Sequence, residues 1–234
     1  MYQQKTLNTI GGISALLQFV AVITLIVVTV TLGPKLESID EYFSVYQQNP
    51  LVGFLRDDLL NLILITLYLG TVPALYSTLK RINPLYTSLA TLFTFIAVTV
   101  SFAGNSDFSM YHLSDQYSAA TSEMQRIQIM AAGEAIIASD MWHSMGGYMV
   151  GILLQGSGML ISIIMLKSSE FSKITAIAGL LGNGFDLLQH LIHPFAPAIS
   201  ESIMIVMGPF YLAWFPLLAR DLFRLRHISS RDQS

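Results

Sequence analysis

The sequence predicts an all-α polytopic membrane helix bundle, and three observations predict it. Of 234 residues, 53% are hydrophobic and only 12% are charged, against roughly a quarter charged in an ordinary soluble domain. The apolar residues gather into about six runs, each near the 20 or so residues that a helix needs to cross a bilayer. Lys and Arg concentrate in the connections on one side of those runs. The chain has no cysteine, so neither a disulfide framework nor a thiolate metal site is open to it. Its net charge of -3 marks no nucleic-acid partner, and the lipid bilayer is the first partner expected.

The run 11–33 is too long for the apolar region of a signal peptide, and no small-residue cleavage site follows it before Pro34, so a retained first span is expected. Runs 58–79 and 84–104 flank a tight link with Lys80 and Arg81, which makes spans two and three antiparallel neighbours. A polar stretch follows. Within it, 118–139 reads as an amphipathic helix, with Met124, Ile127, Met130 and Ala131 at helical spacing. It is expected on the membrane surface or as an extension of span four. Runs 141–166, 171–193 and 198–222 complete the set, with Pro194 and Pro197 around the last turn. Residues 1–234 read as a single membrane domain.

Charge sets the expected orientation, because short cytoplasmic loops retain Lys and Arg. One side carries Lys5, Lys80, Arg81, Lys167, Lys173, Arg220, Arg224, Arg226 and Arg231; the other carries Lys35, Arg56 and Arg126. Both termini are therefore expected in the cytoplasm, as an even number of crossings requires. Acidic residues show the mirror pattern, with Asp57, Asp58, Asp107, Asp115, Glu123 and Glu134 among those outside. Their bias reads either as a solvated outer face or as attraction of cations to an outward-facing site.

Small residues allow close approach of helices in lipid. Span four carries Gly146, Gly147, Gly151, Gly156 and Gly158, and span five carries Gly179, Gly182 and Gly184, so these spans are expected in intimate antiparallel contact. Thr87, Thr91, Thr94, Ser101 and Asn105 share one face of span three, either as packing or as the wall of a polar cavity. Pro73, Pro209 and Pro216 predict kinks. Trp142 and Trp214 read as interfacial anchors.

One constellation bears chemistry. Asp186, His190 and His193 are spaced four and three apart on span five, and 3.6 residues per turn places them along one face. Asp186 is expected on the order of 10 Å below the outer end, counting about 1.5 Å per residue. An ionisable side chain at that depth is a functional hypothesis by default. His143 and Asp140, at the outer start of span four, Asn183 below Asp186, and Asp58 and Asn61 at the start of span two complete an expected outward-facing polar pocket.

These residues support three readings. A proton, an ion or a small molecule is handled around Asp186. Alternatively, His143, His190 and His193 ligate zinc, with Asp186 or Asp140 orienting or acting as base, in an intramembrane hydrolase acting on a lipid. The third reading is a bonded network in a non-catalytic subunit that partners other membrane subunits.

The chain resembles the uncharacterised prokaryotic six-helix membrane proteins grouped as domain of unknown function 4386. The resemblance rests on helix number, the long outer segment before span four, Asp140-Met141-Trp142, and the stretch from Ser172 through Gly179 to Gly182. It implies a prokaryotic multi-pass protein in the cell membrane and brings no activity with it.

Overall fold

The computed structural model describes residues 2–139 and 143–231, and every described element is helical. Five stretches are long and apolar enough to cross a membrane: Gln3–Leu32, Leu59–Leu79, Pro84–Ala119, Met145–Lys167 and Pro197–Arg226. They correspond to α1 (Tyr2–Leu32), the pair α4 (Leu59–Thr66) and α5 (Tyr68–Leu79), α6 (Pro84–Gly104) running on toward α7 (Asp107–Ala119), α9 (Met145–Lys167), and α11 (Pro197–Arg231). Helix α10 (Lys173–Ile192) is not among the five. Its Asn183, Asp186, Gln189 and His190 dilute its apolarity, and all four are buried. At 20 residues and about 1.5 Å per residue it has the length to cross.

Six helical columns close into a ring in which α1 packs on α11, α11 on α10, α10 on α9, α9 on α6, and α6 on α5, which returns to α1. The columns turn aliphatic side chains such as Ile13, Val20, Val27, Leu92 and Ile177 outward. That exposure is what a lipid solvent asks of a bundle. The second column breaks at Leu67, whereas Pro73 lies inside α5, which continues through it. Asn83, Ser144 and Ser172 each receive a backbone N–H at the start of α6, α9 and α10, the usual satisfaction of a helix start.

At one end, α2 (Ile39–Gln48), α3 (Pro50–Arg56), α7 and α8 (Glu123–Ile137) form a cap with its own apolar cluster around Leu36, Ile39, Tyr42, Phe43, Tyr46 and Met110. The opposite, basic end carries Lys80, Arg81, Lys167, Lys173 and Arg220. Helix α8 packs through Ile129, Met130, Ile136 and Ile137, while Met124 and Ile127 stay exposed. The expected stripe was thus offset, because Gly133 presses against Ile39 of α2 and sets which face turns inward.

Trp214 is 1% exposed inside the bundle rather than at an interface. Glycine at 179 leaves room for its indole. Trp142, Asp140 and Met141 lie outside the described residues.

Candidate functional site

Helix α10 turns its polar face inward. Asp186 and His190 are each 6% exposed and Asn183 is 1% exposed. His190 Nδ1 faces two oxygens, the Asp186 carbonyl at 2.9 Å and the Asp186 Oδ1 at 3.1 Å. The carbonyl can only accept, so Nδ1 carries the hydrogen. Asn183 donates through Nδ2 to the Gly179 carbonyl at 2.7 Å, which fixes its oxygen toward the centre of the bundle.

Tyr211 of α11 closes the site. Its hydroxyl oxygen lies 2.8 Å from Asp186 Oδ2, 2.9 Å from the Gln155 amide of α9, and 3.4 Å from Asn183 Oδ1. A hydroxyl has one hydrogen to donate, and the carboxylate is its strongest acceptor. Gln155 Oε1 and Asn183 Oδ1 are the competing acceptors for that one hydrogen. Tyr68 of α5 lies within electrostatic reach of both Asp186 and Tyr211, and Phe215 stacks on Tyr211 at 5.7 Å between ring centroids.

Glycines make the space. A Cβ at Gly151 would overlap the His190 ring, and one at Gly158 would overlap the Asn183 amide. These α9 glycines are seven residues apart, two turns on one face. They serve close packing as expected, and what they admit is the polar row of α10.

The remaining predicted residues sit elsewhere. His143 is exposed in the turn before α9, because Ser144 accepts the Gly147 N–H and starts the helix at Met145. His193 ends α10 with Nδ1 3.2 Å from Ser200 Oγ, whose hydroxyl donates to the Gln189 carbonyl. The three histidines do not converge. Among the described residues, no three His, Asp or Glu side chains come close enough to hold a metal ion.

Asp58 and Asn61 line a separate cavity of about 330 Å³ on the cap side, between α4, α6 and α9. Ser101, Asn105 and Ser144 add polar wall. The Thr and Ser face of α6 thus divides. Thr87, Thr91 and Thr94 donate to carbonyls four residues back, and Thr94 also meets Ser157 of α9. Ser101 and Asn105 border the cavity.

Beside that cavity, Asp58 pairs with Lys35 at 2.6 Å. The neighbouring Asp57 accepts from the hydroxyls of Tyr42 and Tyr46 at 3.0 and 3.3 Å. Burial, then the Asp107 and Asp58 charges, push the Asp57 carboxyl up to about 7, with Lys35 and the Tyr42 hydrogen bond opposing them. Asp107 is 1% exposed, and neither of its carboxylate oxygens has a hydrogen-bond partner among the described residues. The Asn105 amide and Asp58 N–H lie nearby without bonding geometry, and Asp57 is within reach. Two ionised carboxylates have no donor between them, so a shared proton is what would satisfy Asp107.

Sequence patterns alone passed over Tyr211, Gln155 and Tyr68. Each is the lone contribution of its own helix, and the only signals were Tyr211 between Pro209 and Pro216 and an amide in the middle of an apolar run.

The model of the family described as "Domain of unknown function (DUF4386)" matches residues 54–219, well over half of the chain. The chain belongs to that family. The matched segment of this DUF4386 protein contains α4 to α10, the cavity, the Asp186 cluster and Tyr211; α1 and α2 precede it. No curated protein and no solved structure matches the chain.

Proposed function

We propose that this chain crosses a prokaryotic cell membrane six times, with both termini in the cytoplasm and the cap outside, and that Asp186 takes up and releases a proton in its working cycle. The observation that carries the reading is Asp186 itself, a carboxyl buried in a span and bonded to a tyrosine hydroxyl and an imidazole. An ionisable group in the hydrocarbon region is costly and is kept where it does something. Other polar contacts inside the bundle are made by hydroxyls and amides, as with Thr71 on Gln18 and Gln4 on Ser77. Asp186 brings a titratable acid next to His190, the side chain best suited to pass protons near neutral pH.

Orientation is supported by the basic residues at the end opposite the cap. The test is proton flux in proteoliposomes carrying a trapped pH-sensitive dye, with a pH gradient imposed across them. Wild-type protein should dissipate the gradient, and Asp186→Asn should abolish that dissipation while eluting as an intact protein. Equal flux from the two proteins would remove the proposal.

A further inference from the structure

The cap-side cavity ends on three aliphatic side chains. Ile65 of α4, Val100 of α6 and Val150 of α9 are the lining residues furthest from the cap on their respective helices. Ile65 and Val150 are buried, and Val100 is packed against the same core. Just beyond this layer lie the groups of the Asp186 cluster. Gly151, which follows Val150, receives the His190 ring, with Nε2 among the atoms nearest to it. Tyr68, three residues beyond Ile65, lies within electrostatic reach of Asp186. Two different helices therefore pass from cavity floor to buried acid within one turn, about 5 Å of axial rise.

Resting on the proton reading above, we infer that the cavity is the outer port to Asp186, that Ile65, Val100 and Val150 form its closed apolar gate, and that His190 carries the proton across. A hydrophobic constriction of this kind stops conduction by excluding water, and wetting opens it. With water in the layer, a proton binds Nε2 of His190 while the Nδ1 hydrogen passes to Asp186 Oδ1. Imidazole ends neutral with its hydrogen on Nε2, and the carboxylate ends protonated, so one proton enters and one is stored. The reverse relay, in which Asp186 Oδ1 returns its proton to Nδ1 as the Nε2 hydrogen leaves to water in the port, releases the stored proton and restores the starting tautomer.

The occupant is a proton because the donors around Asp186 suit nothing larger. Tyr211 and His190 both point hydrogens at its carboxylate, and no third carboxylate or imidazole joins them among the described residues.

The absence of cysteine makes a direct test possible. Ser101→Cys places a thiol on the cavity wall, Val150→Cys in the gate, and Ser157→Cys below it. A charged, membrane-impermeant methanethiosulfonate is added to the cap side of sealed vesicles. Ser101→Cys should react fastest, Val150→Cys about tenfold more slowly because it sits in the dry constriction, and Ser157→Cys not at all; each should react fully once denatured. Modified Val150→Cys should lose its Asp186-dependent proton flux, and Val150→Ala with Ile65→Ala should raise it. Reaction of Ser157→Cys as fast as Ser101→Cys, protection of Ser101→Cys, or flux that survives modification of Val150→Cys overturns the port. The predicted labelling pattern with no flux in wild-type protein overturns the proton reading instead, because the labelling reads the cavity alone.

Discussion

The interface of α10 and α11 buries two aspartates, and they are held in opposite ways. At the basic end, Asp221 is 0% exposed and saturated with donors. Ser172 N–H reaches its Oδ2 at 2.9 Å, Thr175 Oγ1 donates to the same oxygen at 2.6 Å, and Arg220 pairs with Oδ1 at 3.0 Å. Arg220 also donates to Ser172 Oγ, and Arg224 to the Glu170 carbonyl. Toward the cap, Asp186 has one hydroxyl and one imidazole and no Lys or Arg partner among the described residues. A carboxylate with a fixed cationic partner and backbone donors stays ionised and ties helices together. Asp186 has a phenol hydroxyl and an imidazole beside it in place of a fixed cation. Burial alone does not mark a site; the donors decide.

The largest effect should come from the saturated end. Asp221→Ala leaves the Ser172 N–H without its acceptor and Thr175 Oγ1 with Ser172 Oγ alone; at roughly 1–3 kcal/mol for the orphaned N–H and about 1 kcal/mol more for the other lost bonds, the bundle should lose about 2–4 kcal/mol. Thermal unfolding in detergent reads this, and an unchanged midpoint would show that Asp221 does not staple α10 to α11. Gly151→Ala comes next, since its methyl group must displace the His190 ring. Overpacking of this kind costs about 1–3 kcal/mol, and Gly146→Ala, whose Cβ would make only ordinary contact with Val100, should cost much less. Equal losses from the two would contradict the packing of His190 on α9.

Tyr211→Phe keeps the ring stack on Phe215 and removes only the hydroxyl. It should cost about 1 kcal/mol, far less than Asp221→Ala, yet slow proton uptake clearly. A variant that unfolds but conducts normally when refolded would reverse the roles of the two ends.

The smallest signal is confined to the cap. Asp57 has its carboxyl raised to about 7 in the folded cap, above the ordinary carboxylate value near 4. The sign follows from linkage: stability is greatest below the unfolded value and is lost as pH rises through the folded one. At pH 8 the amides of α2 and α7 should exchange faster in wild-type protein than in Asp57→Asn, and at pH 5 the two should match. Comparison at each pH cancels intrinsic exchange rates. An identical ratio at both values would mean that Asp57 does not titrate in this range.

Helical spacing was enough to read Asp186 and His190 as one face, because i and i+4 positions meet on any helix. The same counting misled at His143. Ser144 stops α9 one residue after it, and a cap depends on backbone geometry that periodicity does not see. The Thr and Ser stripe of α6 was legible as a face, but its division into packing and cavity wall depends on where α9 leaves it.

The membrane bundle itself was determined by the sequence, since composition and apolar run length respond directly to the solvent. So were the gathering of basic residues at one end and the α10 polar row. Only the tertiary structure decided which side chains meet that row. Tyr211, Gln155 and Tyr68 come from three other helices, and no local pattern specifies a partner across a helix interface. The fold also decided that Asp58 and Asn61 line a cavity apart from Asp186, with an apolar layer between them. That separation is set by how three helices converge around Ile65, Val100 and Val150, a matter of packing in three dimensions.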